Sequence, residues 1–263
     1  MSSPPKGYVD AAYLDAAAAN DMMKAFKYFT YERMHANPGH TVLDVGCGPG
    51  TDTIPLAQRV GGSGQVFGVD YDADMIAKAQ RRAMEAGVSS WASHVRADAT
   101  ALPFDSDRFD ACRSERLLPH LFNPEKALSE MTRVTRPGGW IVVLDPDGGS
   151  ISVDASDVQT ERTLVRIFAE HMVNNGYVAR QLYRLFKQQG LAEVSTQVCG
   201  LHFVDYALAR QMWLLDEVER KALAMGVVTL RELERLQAYW ERADAEGTYF
   251  ASVHWILVSG RKP

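Results

Sequence analysis

The chain has 263 residues, of which 46% are hydrophobic and 23% are charged, and its 28 Lys and Arg against 33 Asp and Glu give a net charge of −5. This apolar content can fill a sizeable core and excludes a largely disordered chain, while the acidic balance disfavours a broad nucleic-acid surface. Three widely spaced cysteines without a CxxC pair disfavour a disulfide scaffold and predict no metal site. The lack of an apolar leader or a membrane-spanning run predicts a cytoplasmic protein.

An Ala-rich pattern over Asp10–Tyr31 predicts an N-terminal helix, and strands then alternate with helices from about residue 40 to 145. Apolar runs predict strands at Thr41–Val45, Gln65–Asp70, Ser93–Arg96, Phe109–Ser114 and Trp140–Asp145. Amphipathic spacing predicts helices at Asp52–Val60, Ala73–Ala86 and Asn123–Thr135. Alternation of this kind is typical of a parallel sheet with helices on both faces.

The second half of the chain is less regular but follows the same logic of apolar runs and helical spacing. Helices are predicted at Asp157–Asn174, Tyr177–Gln189, Leu208–Ala224 and Leu230–Ala245, and strands at Ala192–Val198 and Ser252–Ser259. The chain contains no internal repeat and no low-complexity linker, so we expect one domain with helical additions.

The most informative segment runs from Leu43 to Gly50, where a strand ends in a G-x-G-x-G loop that opens a helix. Glycines here permit a tight turn and let the backbone approach a ligand closely. A dinucleotide fingerprint would require glycine at Thr51, and a phosphate-binding P-loop would require a lysine after the glycines. Neither a dinucleotide nor a nucleoside triphosphate is therefore the best match for this loop.

Acidic residues follow the strands that flank this loop. Asp70 lies twenty residues after Gly50, at the end of the second strand, where a carboxylate accepts hydrogen bonds from ribose hydroxyls. Asp98 follows the third strand and could accept from an adenine amino group. With Asp44 of the first strand, these make three acidic strand ends at one crevice, which suit a ligand that carries a nucleoside and a positive charge.

Together these motifs resemble a class I S-adenosylmethionine (SAM) dependent methyltransferase, in the small-molecule branch that is similar to ubiquinone and menaquinone methyltransferases. The motifs are D-V-G-C-G-P-G, V-D at the second strand, D-A at the third, P-F-D-S-D-R-F-D and R-P-G-G-W, and the resemblance covers about residues 38–147. The resemblance implies a Rossmann-like three-layer α/β sandwich. Its sheet would have seven mostly parallel strands with the last antiparallel, a place that Ser252–Ser259 fits.

The resemblance also implies SAM as cofactor, S-adenosylhomocysteine (SAH) as product, and twelve cofactor-contacting positions. Around the methionine part these are Asp44, Gly46, Cys47, Gly48, Gly50, Arg113 and Ser114. Around the ribose and adenine they are Asp70, Tyr71, Met75, Asp98 and Ala99. Asp44 would orient the amino group of the methionine part, and Asp70 would bind the ribose.

Methyl transfer from a sulfonium is an in-line displacement, so the enzyme mainly positions a nucleophile and excludes water. A general base helps only if the acceptor must lose a proton, and His120 is our candidate, with a purely structural role as the alternative. Candidate acceptor contacts are Tyr13, Asp145, Asp147 and His171.

We expect a single methyltransferase domain over residues 1–263. It would comprise an N-terminal helical lid (1–37), a SAM-binding core (38–147), helical insertions over the substrate pocket (148–176 and 204–248) and segments that complete the sheet (177–203 and 249–263). The expected partner is a small-molecule acceptor with an O, N or C nucleophile, without nucleic acid or membrane. A SAM-binding protein without catalysis and an RNA methyltransferase are the alternatives, and the helices within Leu208–Ala245 either cover the pocket or form a homodimer.

Overall fold

A computed structural model describes residues 21–263 of the chain. Five strands form the parallel part of the sheet in the order β3-β2-β1-β4-β5. They are β1 Thr41–Val45, β2 Gln65–Asp70, β3 Ala92–Arg96, β4 Phe109–Glu115 and β5 Thr135–Pro146. The central strands are largely buried on both faces, as a covered parallel sheet requires. This arrangement confirms the predicted fold class.

Helices cover both faces of this sheet. Their bounds are α1 Asp21–Arg33, α2 Thr53–Val60, α3 Ala73–Glu85, α4 Pro124–Val134, α5 Val158–Ile167, α6 Val178–Gln188, α7 Tyr206–Met212, α8 Leu215–Ala224 and α9 Leu230–Ala245. On one face, Met23 of α1 packs in the same buried cluster as Leu56 of α2. On the other, Met131 of α4 shares a cluster with Phe186 of α6. The result is a three-layer sandwich with a core on each side of the sheet.

The sheet ends in antiparallel strands. The strand β8 Ala251–Arg261 lies antiparallel between β5 and the strand β7 Ala192–Phe203, so Val258 pairs with Val143 on one side and Thr196 on the other. A two-residue strand, β6 Ser152–Val153, pairs with the start of β8 and raises the number of strands to eight. Both β7 and β8 are longer than their apolar runs predicted, because β7 continues beside β8 as far as Phe203.

Two predicted helices are interrupted in the structure. The helix predicted over Leu208–Ala224 divides into α7 and α8 because Leu214 adopts a left-handed conformation with φ of 51°. Beside it, Trp213 is buried edge-on against Phe203, with 5.1 Å between the ring centroids. The helix predicted over Asp157–Asn174 ends at Ile167 and continues as one π-helical turn to Met172. These breaks turn apolar side chains toward the carboxyl end of the sheet.

Within residues 21–263, no helix is both long enough and apolar enough to cross a membrane. No group of three or more His, Cys, Asp or Glu side chains in the same range is placed to hold a metal ion.

Candidate active site

A cavity of about 760 Å³ opens at the carboxyl ends of the parallel strands, where α/β sheets bind their ligands. Its two ends differ in chemistry. One end is bordered by the glycine loop and by acidic strand ends. The other is walled by apolar side chains, namely Ile151, Phe168, Val173, Leu201, Phe203, Met212, Trp213, Leu214, Val253 and Trp255. A ligand with a polar nucleoside-like part and an apolar neighbour would fill both ends.

The glycine loop brings bare backbone to the polar end of the cavity. Gly46 and Gly50 have φ angles of +75° and +82°, which L side chains rarely adopt. A Cβ on Gly50 would lie 2.9 Å from the Cβ of Ala79, and one on Gly46 would lie 3.0 Å from Leu117 Cδ1. Gly46 lines the cavity directly, whereas Gly50 packs the loop against α3.

Asp70 ties the end of β2 to this loop. Its Oδ2 accepts a hydrogen bond from the Gly48 amide at 2.9 Å, and its Oδ1 accepts one from the Asp72 amide at 2.9 Å. Burial raises the pKa of Asp70, and these amide donors oppose that rise. The structure therefore assembles many of the predicted cofactor residues on one wall, namely Asp44, Gly46, Cys47, Gly48, Asp70, Tyr71 and Met75.

Other predicted cofactor residues lie outside the lining of the cavity. Asp98 is exposed, and its Oδ1 accepts hydrogen bonds from the amide and hydroxyl of Thr100, both at 2.8 Å. Ala99 belongs to the hydrophobic core, and Ser114 is fully buried within β4. Arg113 is also fully buried, so it reaches the cavity only through the carboxylates that it contacts.

Those carboxylates form a buried ionic cluster at the polar end. Arg113 Nη2 donates to Glu115 at 2.8 Å, and Arg113 Nη1 lies 3.2 Å from Asp52 and 3.4 Å from Asp44. From α1, Lys27 Nζ reaches Asp52 at 2.6 Å and Glu115 at 2.9 Å. The Tyr31 hydroxyl donates to Asp52 as well.

The charges within this cluster set unequal pKa values. Burial raises the pKa of Asp44 to about 7, because Arg113 at 3.4 Å only partly compensates the lost hydration. Burial alone would also raise the pKa of Asp52, but Arg113 and Lys27 hold it below its usual range. Asp44 is thus the least neutralised carboxylate of this cluster, and a cationic ligand group beside it in the cavity would favour its ionised form.

The sequence patterns do not mark Lys27, Tyr31 or Asp52 as members of the site, and they indicate Glu115 only as a residue at its rim. A partial signal exists, because Lys27 and Tyr31 are four residues apart and so lie on one face of α1, among apolar neighbours. Asp52 also follows the glycine loop directly, at the N-cap position of α2. Nothing in the sequence, however, pairs α1 with these two carboxylates.

Of the residues predicted to contact an acceptor, His120 lines the cavity. The turn that contains His120, Leu118–His120, accepts hydrogen bonds from the segment that follows the π-helical turn. Asn174 Nδ2 donates to the His120 carbonyl at 2.7 Å, and the Asn175 amide donates to the Pro119 carbonyl at 2.8 Å. The backbone that carries the imidazole is therefore held in place at the edge of the cavity.

Three other predicted acceptor contacts do not line the cavity. Asp145 is fully buried and accepts a hydrogen bond from the Leu117 amide at 3.0 Å, and this burial raises its pKa well above the ordinary value. Asp147 pairs with Arg180 at 2.8 Å. His171 lies in the π-helical turn, outside the lining. The two aspartates therefore bind groups of the protein itself, the Leu117 amide and the Arg180 guanidinium. Tyr13 lies outside the described residues.

Comparisons with known proteins agree with this geometry. A family model described as a methyltransferase domain matches residues 36–194. The ubiquinone/menaquinone biosynthesis C-methyltransferase UbiE of Enterobacter sp. (strain 638) is 31% identical over 198 residues, which cover 71% of this chain and 78% of the relative. An uncharacterised 37.1 kDa protein in transposon TN4556 of Streptomyces fradiae is 33% identical over 254 residues, covering 95% of this chain and 70% of the relative.

A solved structure with a similar fold is that of a geranyl diphosphate methyltransferase in complex with SAM. It superposes with a TM-score of 0.56 and 19% sequence identity, covering 98% of this chain and 97% of that chain. At this identity the likeness concerns the fold. Helix α1 precedes the residues that the family model matches. The family model therefore does not cover Lys27 of α1, which contacts Asp52 and Glu115.

Proposed function

This chain belongs to the S-adenosylmethionine-dependent methyltransferases, with SAM as its cofactor, and we propose that it methylates an O, N or C nucleophile of a small molecule held in the apolar half of the cavity. The observation that carries the proposal is the cavity itself. One continuous space joins the glycine loop and Asp70 to a chamber of apolar walls. The name of the Enterobacter relative, a C-methyltransferase of quinone biosynthesis, supports a small and largely apolar acceptor.

The residues at the polar end suit the cofactor. Asp70, at the end of β2, would hold the ribose hydroxyls through its carboxylate, and Tyr71 and Met75 would flank the nucleoside. Asp44 would pair with the ammonium group of the methionine part, and Arg113 offsets part of its charge. The glycine loop leaves no room for side chains where the methionine part passes. Asp98 and Ala99 would contact the adenine edge from just beyond the lining.

The chemistry that we propose is an in-line displacement in a chamber that excludes water. SAM supplies a methyl group that is already activated on a sulfonium. The apolar walls would hold the acceptor close to the methyl position and lower the local polarity, which favours a transition state in which the positive charge of the sulfonium is dispersed. His120 stands at the edge of the same space, where an imidazole can take a proton from an acceptor hydroxyl or carbon acid.

The segments that line the cavity indicate which parts of the chain contact the acceptor. Residues 148–176 contribute Gly148, Ile151, Phe168, Val173 and Gly176 to the lining, and residues 204–248 contribute Met212, Trp213 and Leu214. We assign acceptor selection to these two insertions, since they supply walls of the apolar end. Residues 1–37 would act as a lid, with α1 already anchored to the polar end through Lys27.

The proposed function predicts selective binding followed by transfer. Calorimetric titration should show heat for SAM and SAH and none for NAD, since Thr51 breaks the dinucleotide pattern. Incubation with methyl-tritiated SAM and a protein-free cell extract should then place the label in small organic molecules. Binding of SAM without any transfer would instead support a non-catalytic SAM-binding protein, and label found only in RNA would support an RNA methyltransferase.

His120→Ala should lower turnover in the tritium assay by about a hundredfold or more while SAM affinity changes little, because a general base contributes at that scale. His171→Ala is the matched control, since that imidazole lies outside the lining, and its turnover should stay near that of the unsubstituted protein. Normal turnover in His120→Ala would make this histidine structural.

A further inference from the structure

Arg116 is a strained residue in the lining of the cavity. It follows β4 directly and adopts a left-handed conformation with φ of 53°, which is costly for a residue with a side chain. Its amide donates to the Leu144 carbonyl at 3.1 Å, so the turn is tied to the end of β5. The residue lines the cavity between Glu115, at the polar end, and Leu117. The strained turn thus places Arg116 in the lining, with its guanidinium beside Glu115.

The charge of this guanidinium is only partly matched within the described part of the chain. Arg116 Nε lies 3.3 Å from Glu115 Oε1, but Glu115 already pairs through Oε2 with Lys27 and Arg113. Arg116 Nη1 is buried and makes no hydrogen bond to any described residue. A buried guanidinium donor without a partner is costly, so an oxyanion beside it would be stabilising.

The rest of the lining points to the same conclusion. Among the described residues that line the cavity, the arginines are Arg96 and Arg116. Arg96 is engaged at the nucleoside end, where its Nε donates to the Tyr71 carbonyl at 3.0 Å and its guanidinium lies 5.5 Å from the Tyr71 ring centroid. Arg116 instead lines the cavity beside Glu115, in the same continuous space as the apolar walls, where a low local dielectric strengthens an ion pair.

We propose that Arg116 is an anion-binding residue for the methyl acceptor, and that the acceptor class is therefore a largely apolar molecule with an ionised carboxyl or acidic hydroxyl group. This inference rests on the proposed function, since it assigns the apolar end to the acceptor. The guanidinium fork pairs with a carboxylate through two parallel hydrogen bonds, which fixes the orientation of a flat ligand as well as its affinity. Arg116 would thus select the acceptor and turn it toward the methyl position.

A matched pair of probes tests the inference. The SAH-loaded protein should bind 2-naphthoate at least about tenfold more tightly than its neutral analogue 2-naphthamide, because charge-assisted pairs are stronger than neutral hydrogen bonds. Arg116→Met should remove this preference and leave SAH affinity within about twofold, and Arg116→Lys should retain part of it. Arg220→Met, which removes an exposed arginine paired with Glu217, should change neither affinity.

Several outcomes would overturn the assignment. Equal affinity for the two naphthalene probes, or no binding of 2-naphthoate to the unsubstituted protein, contradicts an anion site in the apolar chamber. A large loss of SAH affinity in Arg116→Met assigns the residue to the cofactor carboxylate instead. The same titrations without SAH separate this proposal from the proposed function. A preference for 2-naphthoate in a protein that does not bind SAH upholds the anion site and contradicts the methyltransferase assignment.

Discussion

Replacing Arg113 with methionine is expected to lower the free energy of unfolding by about 3–5 kcal/mol. The guanidinium is fully buried and contacts three carboxylates, those of Asp44, Asp52 and Glu115. Methionine occupies much of the same volume but leaves these acids with Lys27 as their main cation. Removing one partner from a buried ionic network is costly because the remaining charges stay dehydrated and unpaired. Urea unfolding at neutral pH measures the loss.

Arg220→Met provides the control for this stability measurement, because Arg220 is exposed and pairs with Glu217 at 3.4 Å. Its effect should stay below about 1 kcal/mol, as for other surface ion pairs. A loss of similar size in Arg113→Met would show that water or rearranged side chains neutralise the acids. Such a result would contradict the buried cluster as a stabilising element of the cofactor end.

Asp70→Ala is expected to weaken SAM binding by between about tenfold and about 150-fold. This range corresponds to the loss of roughly 1.5–3 kcal/mol of charge-assisted hydrogen bonding. Two effects add together. The substitution removes the proposed acceptor for the ribose hydroxyls, and it also releases the Gly48 amide from its 2.9 Å hydrogen bond. Calorimetric titration of SAM into both proteins measures the change in affinity.

Asp157→Ala is the matched control, since this aspartate also accepts a backbone hydrogen bond, from the Thr160 amide at 3.1 Å, but lies outside the lining of the cavity. It should cost about 1 kcal/mol of stability as a lost helix cap and leave SAM affinity unchanged. Unaltered SAM affinity in Asp70→Ala would refute the ribose assignment. Equal losses in both variants would indicate a general loss of structure.

The sequence by itself predicted the parallel sheet and the polar end of the cavity, because the signals there are local. Apolar runs of strand length mark β1 and β2 wherever they occur in the chain. The positive φ angles at Gly46 and Gly50 explain why glycine stands at those two positions. Asp70 is placed by its position at the end of β2, since the carboxyl ends of parallel strands meet at one edge.

Only the tertiary structure decided which charges meet. Lys27 and Glu115 are 88 residues apart, and nothing local to either indicates that the other is its partner. Asp145 and Asp147 read from sequence as groups facing an acceptor, yet one holds a turn and the other pairs with Arg180. The strain at Arg116 was equally hidden. The physical reason is that backbone conformation follows from neighbouring residues, whereas the partner of a buried charge depends on which distant segments pack around it.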